Sequence, residues 1–526
     1  MDPADIADRH AHPGNQNMTH DLRHWATHFP GRVAVGIGAQ SLTYGELEAR
    51  ANQLARVFEA KGLQRGDHIV AFLPNVPFMF VLAWAAYRSG LYFTPAASSL
   101  SLKDAVYIVS NSQAKLVLAD AEVKTLVADL PNCCRPETEW VSHGKRMPAY
   151  TAVEDLMAVM SKQPRDHEVP GSLMLYTSGT TGAPKGVWRP LQATDYKGPP
   201  TFAADLMVLF SIDENVRYLS TAPLYHAAPL RFALTVTARG GTVFGMQKFE
   251  AEDALEMLVK NRITHSQWVP TMLQRLLRLP EDVRRGVSAP HHVMALHSAA
   301  PCPVPVKHAI IDWWGPILME YYSGTEGVGL TMLDSHEWLK HPGSVGKTRK
   351  GVPHVLDDDW TELPAEKVGR IFFSGISPFR YFGEPEKTAE RTSPQGYQTL
   401  GDIGYIDSEG YMFLTDRMDD MIISGGVNVY PQEIESAIME LHCIMDVGVV
   451  GAPDDEFGER PVAFVVSDGK IPAGELEALL SVHCERQLGR IKSPARFVML
   501  DQMPRSPTGK LIRRELRDTL HGIATT

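Results

Sequence analysis

Residues 176–186 read YTSGTTGAPKG, a loop of glycines and hydroxyl residues that follows a short apolar segment predicted to be a strand. The glycines allow backbone conformations in which several amide groups point toward one anion. The hydroxyls and Lys185 add donors that suit phosphate oxygens. The loop is not a Walker A sequence, because it does not match G-x-x-x-x-G-K-[ST]. It predicts a phosphate site, and a flexible surface loop is the alternative.

Strand and helix patterns alternate on both sides of this loop. Thr43 and Glu46 have the spacing of a capping box, and apolar residues then recur at helical spacing until Gly62. Strand-like segments separated by helical ones fill residues 69–118, and the same rhythm returns between residues 173 and 320. This alternation predicts parallel α/β sheets.

The pattern of predicted secondary structure changes twice toward the C-terminus. Short strands with Gly, Pro and Asp turns predict a small β-barrel or sandwich-like segment, and a compact α+β segment follows it. The predicted fold class is therefore multidomain α/β. The predicted divisions are an N-terminal domain at 1–417, with α/β subdomains at about 1–170 and 171–342 and a β-rich subdomain at 343–417, and an α+β C-terminal domain at 418–526.

Composition narrows the function classes. The 526 residues carry a net charge of −11, from 51 basic and 62 acidic residues, which argues against nucleic acid as the main partner. A small anion such as ATP is still compatible with a locally positive site. The five cysteines lack C-x-x-C spacing, so they predict neither a disulfide scaffold nor a zinc site, and they fit a reducing cytoplasm.

No segment of the sequence has the pattern of a signal peptide or a membrane span. Residues 1–20 are polar and rich in His and Asp. The most apolar run, residues 76–87, is shorter than the roughly 20 residues that a spanning helix needs. We therefore expect a soluble, cytoplasmic protein.

Five further motifs follow the loop. They are EYYSGTE at 320–326, LGD at 400–402, DRMDD at 416–420, SGGVNVYP at 424–431 and PTGK at 507–510. With the loop they resemble, in order, the signatures of the adenylate-forming superfamily, which includes acyl-CoA synthetases, carrier-protein adenylation domains and beetle luciferases. The resemblance covers nearly the whole chain. It implies an AMP-forming acid:CoA ligase that uses ATP, Mg²⁺ and CoA.

The resemblance also implies a nucleotide site. In this family the loop holds the ATP phosphates, and the matching residues here are Thr177, Ser178, Gly179, Thr180, Thr181, Gly182 and Lys185. The residues matching Asp402 and Arg417 bind the ribose, since a carboxylate can accept hydrogen bonds from two vicinal hydroxyls. The backbone around Ser298, Ala299 and Ala300, with the pair Tyr321 and Tyr322, resembles the adenine slot of the family. The other implied nucleotide contacts are Glu320, Ser323, Gly324 and Thr325. Taken singly, Asp402 would be an ordinary turn residue.

Four residues are implied in catalysis. Glu326 and Thr180 match the Mg²⁺-holding pair of the family, and oxygen ligands suit this hard cation. Lys510 matches the lysine that enters the site during adenylation, where a cation can bridge the attacking carboxylate and the phosphate. His226 matches the position beside the acyl carboxylate, although a structural histidine is the alternative. Without the resemblance, Glu326 and Lys510 would be interpreted as surface charges.

The second half-reaction implies further residues. In the family, the C-terminal domain rotates about a hinge that matches Asp419 and brings a glycine loop, here Ser424, Gly425 and Gly426, to a pantetheine tunnel. One departure is Leu400, which replaces the threonine that usually precedes the Gly-Asp pair. That replacement removes a hydroxyl near the nucleotide.

The acyl pocket is predicted from small and apolar residues. They are His226, Ala227, Ala228, Trp268, Val269, Ala299 and Gly324. A roomy hydrophobic pocket would admit a bulky acid. Residues 187–191 and 302–314 are similar to bacterial ligases for steroid-like, terpenoid or fatty acids.

Other functions stay open at this point. One alternative is an adenylation-only enzyme that passes acyl-AMP to a carrier protein or a separate partner. A luciferase-like oxygenase is another, and a silent nucleotide sensor is a third, although a sensor would be expected to lack Lys510 or Glu326. The expected partners are the acid, ATP and CoA, and a homodimer is possible.

Overall fold

The protein is described by a computed structural model, which covers residues 22–177, 183–195, 200, 203–506 and 509–524. The predicted phosphate-loop residues Ser178, Gly179, Thr180, Thr181 and Gly182 lie outside the described residues. Within those ranges, no helix combines the length and apolarity needed to cross a membrane.

Helices and strands alternate from the start of the described chain to the phosphate loop. The elements are α1 (Leu22–His28), β1 (Val33–Ile37), β2 (Gln40–Thr43), α2 (Tyr44–Ala60), β3 (His68–Phe72), α3 (Phe78–Arg88), β4 (Tyr92–Ala96), α4 (Leu102–Asn111), β5 (Leu116–Asp120), α5 (Lys124–Cys133), β6 (Glu139–His143), β7 (Thr151–Ala152), α6 (Val153–Ala158), β8 (Ser172–Leu173) and β9 (Leu175–Thr177).

The alternation continues after the loop. The elements are β10 (Lys185–Trp188), α7 (Ala204–Leu209), β11 (Arg217–Ser220), α8 (Ala227–Ala238), β12 (Thr242–Gly245), α9 (Ala251–Lys260), β13 (His265–Trp268), α10 (Pro270–Leu277), α11 (Glu281–Arg285), β14 (Met294–His297), α12 (Val304–Trp314), β15 (Leu318–Tyr322), β16 (Leu330–Asp334), α13 (Ser335–Lys340) and β17 (Lys347–Lys350).

Strands are more frequent in the remainder. The elements are β18 (Val352–Leu356), β19 (Gly369–Ser374), β20 (Arg380–Tyr381), α14 (Pro385–Ala389), β21 (Asp402–Ile406), β22 (Met412–Arg417), β23 (Ile422–Ser424), β24 (Val427–Val429), α15 (Pro431–Met439), β25 (Ile444–Asp454), β26 (Gly458–Ser467), α16 (Ala473–Leu488), β27 (Arg496–Met499) and α17 (Arg513–Ala524).

The chain divides into two compact units. The first comprises the described residues up to Leu175, with those of Pro190–Ser220 and Leu224–Gln247. It contains a six-stranded sheet in the order β7-β6-β5-β3-β4-β8, in which every pairing is parallel. It also contains the run β11-β12-β1-β2, which is parallel except at the β1–β2 hairpin.

The central strands of the six-stranded sheet are buried along their whole length. Every residue of β3, β4 and β5 is buried, which explains why these strands read as continuous apolar runs and not as alternating patterns. The predicted capping box opens α2: the Thr43 backbone N–H donates to the Glu46 carboxylate at 2.8 Å, and the Glu46 N–H donates to the Thr43 hydroxyl at 3.3 Å.

The second unit comprises the described residues of Tyr176–Arg189, Thr221–Pro223 and the chain from Lys248 onward. Its mixed sheet contains β13, β14 and β15 in parallel, and β16 and β17 then extend it in antiparallel fashion. The mixed sheet thus continues through Lys347–Lys350, which lies within the segment 343–417 predicted to be the β-rich subdomain.

The β-rich segment forms an antiparallel four-stranded sheet in the order β18-β19-β21-β22. Its core residues Phe373 and Met412 cluster with Val187 of β10 and Tyr381 of β20. Since β10 and β20 pair with each other, this cluster fixes the strand that carries Lys185 against the four-stranded sheet.

The C-terminal segment contains its own sheet, in the order β24-β23-β26-β25, with β27 parallel to β26. One cluster of core residues joins α15 and α16 to β25 and β26, and a second joins Leu516 of α17 to the same two strands. The multidomain α/β fold class is confirmed. The boundaries at residues 342 and 417 stay predictions.

Candidate active site

The two residues predicted to bind the ribose, Asp402 and Arg417, meet Tyr322, which is predicted for the adenine slot, within the second unit. Asp402 begins β21 and Arg417 ends β22, and the two residues face each other in the antiparallel register. The Arg417 Nε donates to Asp402 Oδ1 at 3.2 Å, and the Tyr322 hydroxyl donates to Asp402 Oδ2 at 2.5 Å. Burial lowers the pKa of the Arg417 guanidinium, but Asp402, Tyr322 and Glu326 together raise it by more, so the arginine stays a cation. The structure therefore brings the predicted Asp402, Arg417 and Tyr322 together.

The turn before Asp402 shows how the chain accommodates Leu400. The preceding residue, Thr399, is buried; its hydroxyl donates to the Ile371 carbonyl at 2.5 Å and accepts from the Gly401 N–H at 2.9 Å. Leu400 packs instead on Gly324, where an added Cβ would lie 2.5 Å from Leu400 Cδ2. Gly401 has a φ of 85°, which disfavours residues with a side chain. It also lies under the Arg391 guanidinium, with which an added Cβ would clash.

Glu326, the predicted Mg²⁺ ligand, is held by two residues that sequence reasoning missed. The Tyr381 hydroxyl donates to Glu326 Oε1 at 2.8 Å, and Arg189 Nη2 donates to the Glu326 backbone carbonyl at 2.5 Å. The Lys185 ammonium lies 5.2 Å from the centre of the Tyr381 ring. Burial, with Arg391 nearby, lowers the pKa of Lys185. Tyr381 lies in a two-residue strand, so only the pairing of β10 with β20 reveals its role.

The donor set around Glu326 fits a magnesium ion that shares phosphate oxygens. Tyr381 engages Oε1, so Oε2, which lies beside Gly324, is the oxygen that a cation could use. Mg²⁺ is commonly bound through one or two carboxylates together with substrate phosphates and water. Among the described residues there is no group of three or more acidic, His or Cys side chains that could bind a metal by themselves. The second predicted ligand, Thr180, lies outside those residues.

Lys510 interacts electrostatically with residues of the predicted ribose site. Burial and the Arg417 charge lower the pKa of the Lys510 ammonium to about 8, while Asp420, Asp402 and Glu326 act in the opposite direction. The Lys510 ammonium is therefore coupled electrostatically to charged residues of the predicted nucleotide site. The Lys510 backbone N–H donates to the Ser506 hydroxyl at 3.1 Å, and the Ser506 N–H donates to the Lys510 carbonyl at 2.8 Å.

The residue before Lys510 packs closely on helix α10. Gly509 has a φ of 74°, and an added Cβ would lie only 2.0 Å from Thr271 Oγ1. A side chain at this position would therefore push the Lys510 backbone away from α10. The close approach explains why glycine precedes the lysine.

The predicted adenine segment follows β14. Ala299 has a φ of 77°, a strained value for a residue other than glycine, and it lies between Ser298 and Ala300. Tyr321 is buried, and its hydroxyl accepts from Gln267 Nε2 at 2.7 Å. The backbone at Ala299 and the ring of Tyr321 are therefore both held in defined conformations at the predicted adenine slot.

Two other predicted nucleotide contacts have side chains that are engaged within the protein. The buried Lys307 ammonium donates a hydrogen bond to the Glu320 carboxylate. His297 Nε2 lies 3.7 Å from the same carboxylate. The Ser323 hydroxyl donates to the Gly329 carbonyl at 2.7 Å. Glu320 therefore stabilises the interior, and its backbone is the part that remains for a ligand. Thr177 ends β9, and Thr325 follows Gly324.

His226 belongs to the first unit, where it caps the N-terminus of α8 ahead of Ala227 and Ala228. Its Nε2 is buried without a hydrogen-bond partner among the described residues. Burial lowers the pKa of His226 to about 4, so the ring is neutral near pH 7. A neutral, unpartnered ring nitrogen is suited to contact a polar atom of a ligand.

The remaining pocket, hinge and CoA predictions fall in the second unit. Trp268 and Val269 are buried, and Trp268 Nε1 donates to the Ser266 hydroxyl at 2.6 Å. Asp419 Oδ2 lies 2.6 Å from Arg391 Nη2. The segment from Ser424 to Gly426 turns between β23 and β24, with positive φ at Gly425 and Gly426.

Comparison with known families matches two profiles to the chain. The profile described as AMP-binding enzyme covers residues 22–382, and that of the AMP-binding enzyme C-terminal domain covers residues 433–510. The chain belongs to the AMP-binding enzyme family. This AMP-binding enzyme is an AMP-forming acid–thiol ligase. The predicted membership of the adenylate-forming superfamily and the predicted ligase activity are both confirmed. ATP and CoA are substrates of the ligases in this family.

The AMP-binding enzyme is similar to proteins whose activities are named. Long-chain-fatty-acid–CoA ligase FadD13 of Mycobacterium tuberculosis is 30% identical over 491 residues, which cover 91% of this chain and 93% of the relative. Fatty acid–[acyl-carrier-protein] ligase ScoC of Streptomyces coeruleorubidus is 31% identical over 540 residues, covering 98% of each chain. Among solved structures, o-succinylbenzoate CoA synthetase (MenE) from Bacillus subtilis in complex with its acyl-adenylate OSB-AMP superposes with a TM-score of 0.78 at 26% identity, covering 94% of this chain and 97% of that one.

Proposed function

We propose that this enzyme activates a bulky hydrophobic carboxylic acid to acyl-AMP, releases pyrophosphate and transfers the acyl group to CoA. The observation that carries the proposal is the hydrogen-bonded set of Asp402, Arg417 and Tyr322. The charges of Arg417, Asp402 and Glu326 also act on the Lys510 ammonium, which couples this cation to the predicted ribose site and to the carboxylate expected to hold Mg²⁺.

The first half-reaction needs positioning and charge compensation. A carboxylate oxygen of the acid forms a bond to the α-phosphorus of ATP, and the bond from that phosphorus to the pyrophosphate oxygen breaks. Both reactants are anions, so the Lys510 ammonium offsets charge as the transition state forms. No proton transfer is required. Asp402 and Arg417 would orient the ribose, and Thr177 and Lys185 would support the phosphates.

Glu326 is the residue proposed to bind Mg²⁺. Bound Mg²⁺ would neutralise phosphate charge, a contribution common to ATP-dependent phosphoryl chemistry. The chain's own residues prepare its ligand. Tyr381 occupies Glu326 Oε1 and Arg189 fixes the Glu326 backbone, so the orientation of the carboxylate is set before ATP binds.

The second half-reaction is proposed to follow a rotation of the C-terminal domain, residues 418–526, about Asp419. The CoA sulfur forms a bond to the acyl carbonyl carbon, the bond to the AMP oxygen breaks, and the thiol proton passes to solvent. The turn from Ser424 to Gly426 would line the pantetheine path. Glycines at positive φ support a loop along which a thin substituent can pass closely.

Substrate size is inferred from the predicted acyl-pocket residues. In the second unit, Ala299 is small, and the buried Trp268 and Val269 would supply an apolar wall. FadD13 is named for a long-chain fatty acid and MenE for o-succinylbenzoate. We favour a polycyclic or other bulky hydrophobic acid.

A pyrophosphate-release screen tests the proposal. Purified enzyme with ATP and Mg²⁺ is offered fatty, aromatic, steroid and diterpene acids, with and without CoA, and products are identified by mass. We expect release with bulky hydrophobic acids and an acyl-CoA product when CoA is present. Failure to exchange labelled pyrophosphate into ATP with any of these acids, by folded enzyme, would contradict adenylation.

Transfer to a carrier protein is the second candidate function. The observation that favours it is the similarity to ScoC, which is named as a fatty acid–[acyl-carrier-protein] ligase and matches 98% of this chain. Parallel reactions with CoA and with a pantetheinylated carrier protein distinguish the acceptors. Acyl-carrier product without acyl-CoA would favour this candidate. The homodimer stays a prediction.

A further inference from the structure

Helix α10 contacts the C-terminal segment at two points on one face. Thr271, in its first turn, lies against Gly509. Arg278, which caps its C-terminus, donates from Nη2 to the Met445 backbone carbonyl at 2.5 Å. Thr271 and Arg278 are seven residues apart, which places them on the same side of a helix two turns apart.

Asp446 connects the Arg278 contact to the lysine loop. Its Oδ2 accepts from Arg505 Nε at 2.8 Å, and its Oδ1 accepts from Arg505 Nη2 at 2.6 Å, so the pair is bidentate. Partial burial lowers the pKa of the Arg278 guanidinium and the Asp446 carboxylate opposes that effect, so these two charges also interact. Asp446 thus pairs with Arg505 of the C-terminal loop, and its charge also acts on Arg278 at the end of α10.

Arg505 then contacts the residue that precedes the catalytic lysine. Its Nη1 donates to the Gly509 carbonyl at 2.7 Å. The Gly509 N–H donates to the Ser506 carbonyl at 2.7 Å and closes the turn. The loop therefore has one side fixed by Arg505 and the other lying against Thr271.

We propose that Arg278 and Asp446 are positioning residues that hold Lys510 in the arrangement for adenylation. Together with Thr271, Arg505 and Gly509 they form what we call the α10 latch. The latch rests on the proposed function, because its purpose is to present Lys510 to ATP and the acid. Its contacts must break when the C-terminal domain rotates, so it favours the first half-reaction at the expense of the second.

The latch predicts an asymmetric effect on the two half-reactions. Arg278→Ala removes one hydrogen bond and one charge interaction from the adenylation arrangement only. We expect acyl-AMP formation to fall roughly 3- to 10-fold, the range of a typical hydrogen bond's net contribution. Thioester formation from supplied acyl-AMP should be unchanged or faster, because that arrangement loses nothing.

Arg275→Ala is the matched control. Arg275 lies on the same helix, is exposed, and approaches a carboxylate only at 3.9 Å, in Glu250. It should leave both half-reactions at the wild-type rate. Equal losses in both half-reactions for Arg278→Ala, or identical behaviour of the two variants, would overturn the latch.

A measurement without substrates separates failure of the latch from failure of the proposed function. Acetylation of Lys510 by a soluble reagent, followed by mass spectrometry, should be about 3- to 10-fold faster in Arg278→Ala, in proportion to the expected weakening. Asp446→Asn should give the same increase if Arg278→Ala folds poorly. Unchanged Lys510 reactivity in both folded variants rejects the latch, whereas absent pyrophosphate exchange in the wild type rejects only the proposed adenylation.

Discussion

The Tyr322 hydroxyl donates a 2.5 Å hydrogen bond to Asp402, the residue that also pairs with Arg417. Tyr322 ends β15 of the mixed sheet and Asp402 begins β21 of the four-stranded sheet, so this bond joins two sheets of the second unit at the predicted ribose site. Burial and the adjacent Asp402 carboxylate raise the pKa of Tyr322, which keeps its proton available for donation.

Tyr322→Phe should weaken ATP binding without unfolding the protein. The variant keeps the aromatic ring in the core and removes only the donor, so Asp402 is oriented by Arg417 alone. We expect the KM for ATP to rise roughly 3- to 10-fold, less than the full contribution of a hydrogen bond to a charged group because Arg417 still orients Asp402, with little change in kcat. Steady-state kinetics at saturating acid measure both constants.

Tyr405→Phe provides the comparison for that experiment. Tyr405 lies in the same strand as Asp402, stacked on Phe413, and its substitution should leave the KM for ATP unchanged. An unchanged KM in Tyr322→Phe would mean that Asp402 does not depend on this bond for its orientation.

The fold followed from the sequence wherever one periodicity governed a whole element. Strands β3, β4 and β5 are buried on both faces, so the apolar segments between residues 69 and 118 were sufficient to predict strands in this part of the chain. Asp402 and Arg417 were located from motifs, because local signatures mark both residues.

The parts of the site that were missed depend on contacts between distant segments. Tyr381 meets Glu326 across 55 residues, and Arg189 reaches the Glu326 carbonyl across 137. Neither residue carries a local signature, because their roles arise only when β10 and β20 pair. Glu320 shows the reverse case: its motif indicated a nucleotide contact, whereas its carboxylate binds Lys307 in the interior.

Lys510→Ala should separate the two half-reactions. Loss of the ammonium should reduce acyl-AMP formation roughly 10²- to 10³-fold, as for other groups that stabilise transition-state charge. Thioester formation from supplied acyl-AMP should persist, since the lysine acts only on the first step. Lys470→Ala, which removes an exposed lysine of the same segment paired with Asp468, serves as the control. Equal loss of both steps would contradict alternation of the C-terminal domain.

The pH dependence of adenylation should report the Lys510 ammonium. With a pKa of about 8 in the free enzyme, the cationic fraction falls from roughly nine-tenths at pH 7 to roughly one-tenth at pH 9. Because the protonated form is the active one, kcat/KM for ATP should decline as pH rises through about 8. Lys510→Arg should remove this decline from whatever activity it retains, since a guanidinium stays charged throughout. A decline that persists in Lys510→Arg would assign the titration to another group.

Thr399→Val tests how the turn before Asp402 tolerates Leu400. The substitution keeps the shape of the buried side chain but leaves the Ile371 carbonyl and the Gly401 N–H without the hydroxyl between them. We expect a loss of about 1–3 kcal/mol in the free energy of unfolding, the usual cost of unsatisfied buried polar groups, and a higher KM for ATP as Asp402 shifts.

Leu400→Thr is the informative partner, because it restores the residue usual at that position. It should nevertheless not improve ATP binding, because Thr399 already supplies the hydrogen bond and Leu400 packs on Gly324. Denaturant unfolding and ATP kinetics on both variants decide the matter, and a lower KM in Leu400→Thr would show that the hydroxyl of Thr399 does not substitute for the missing one.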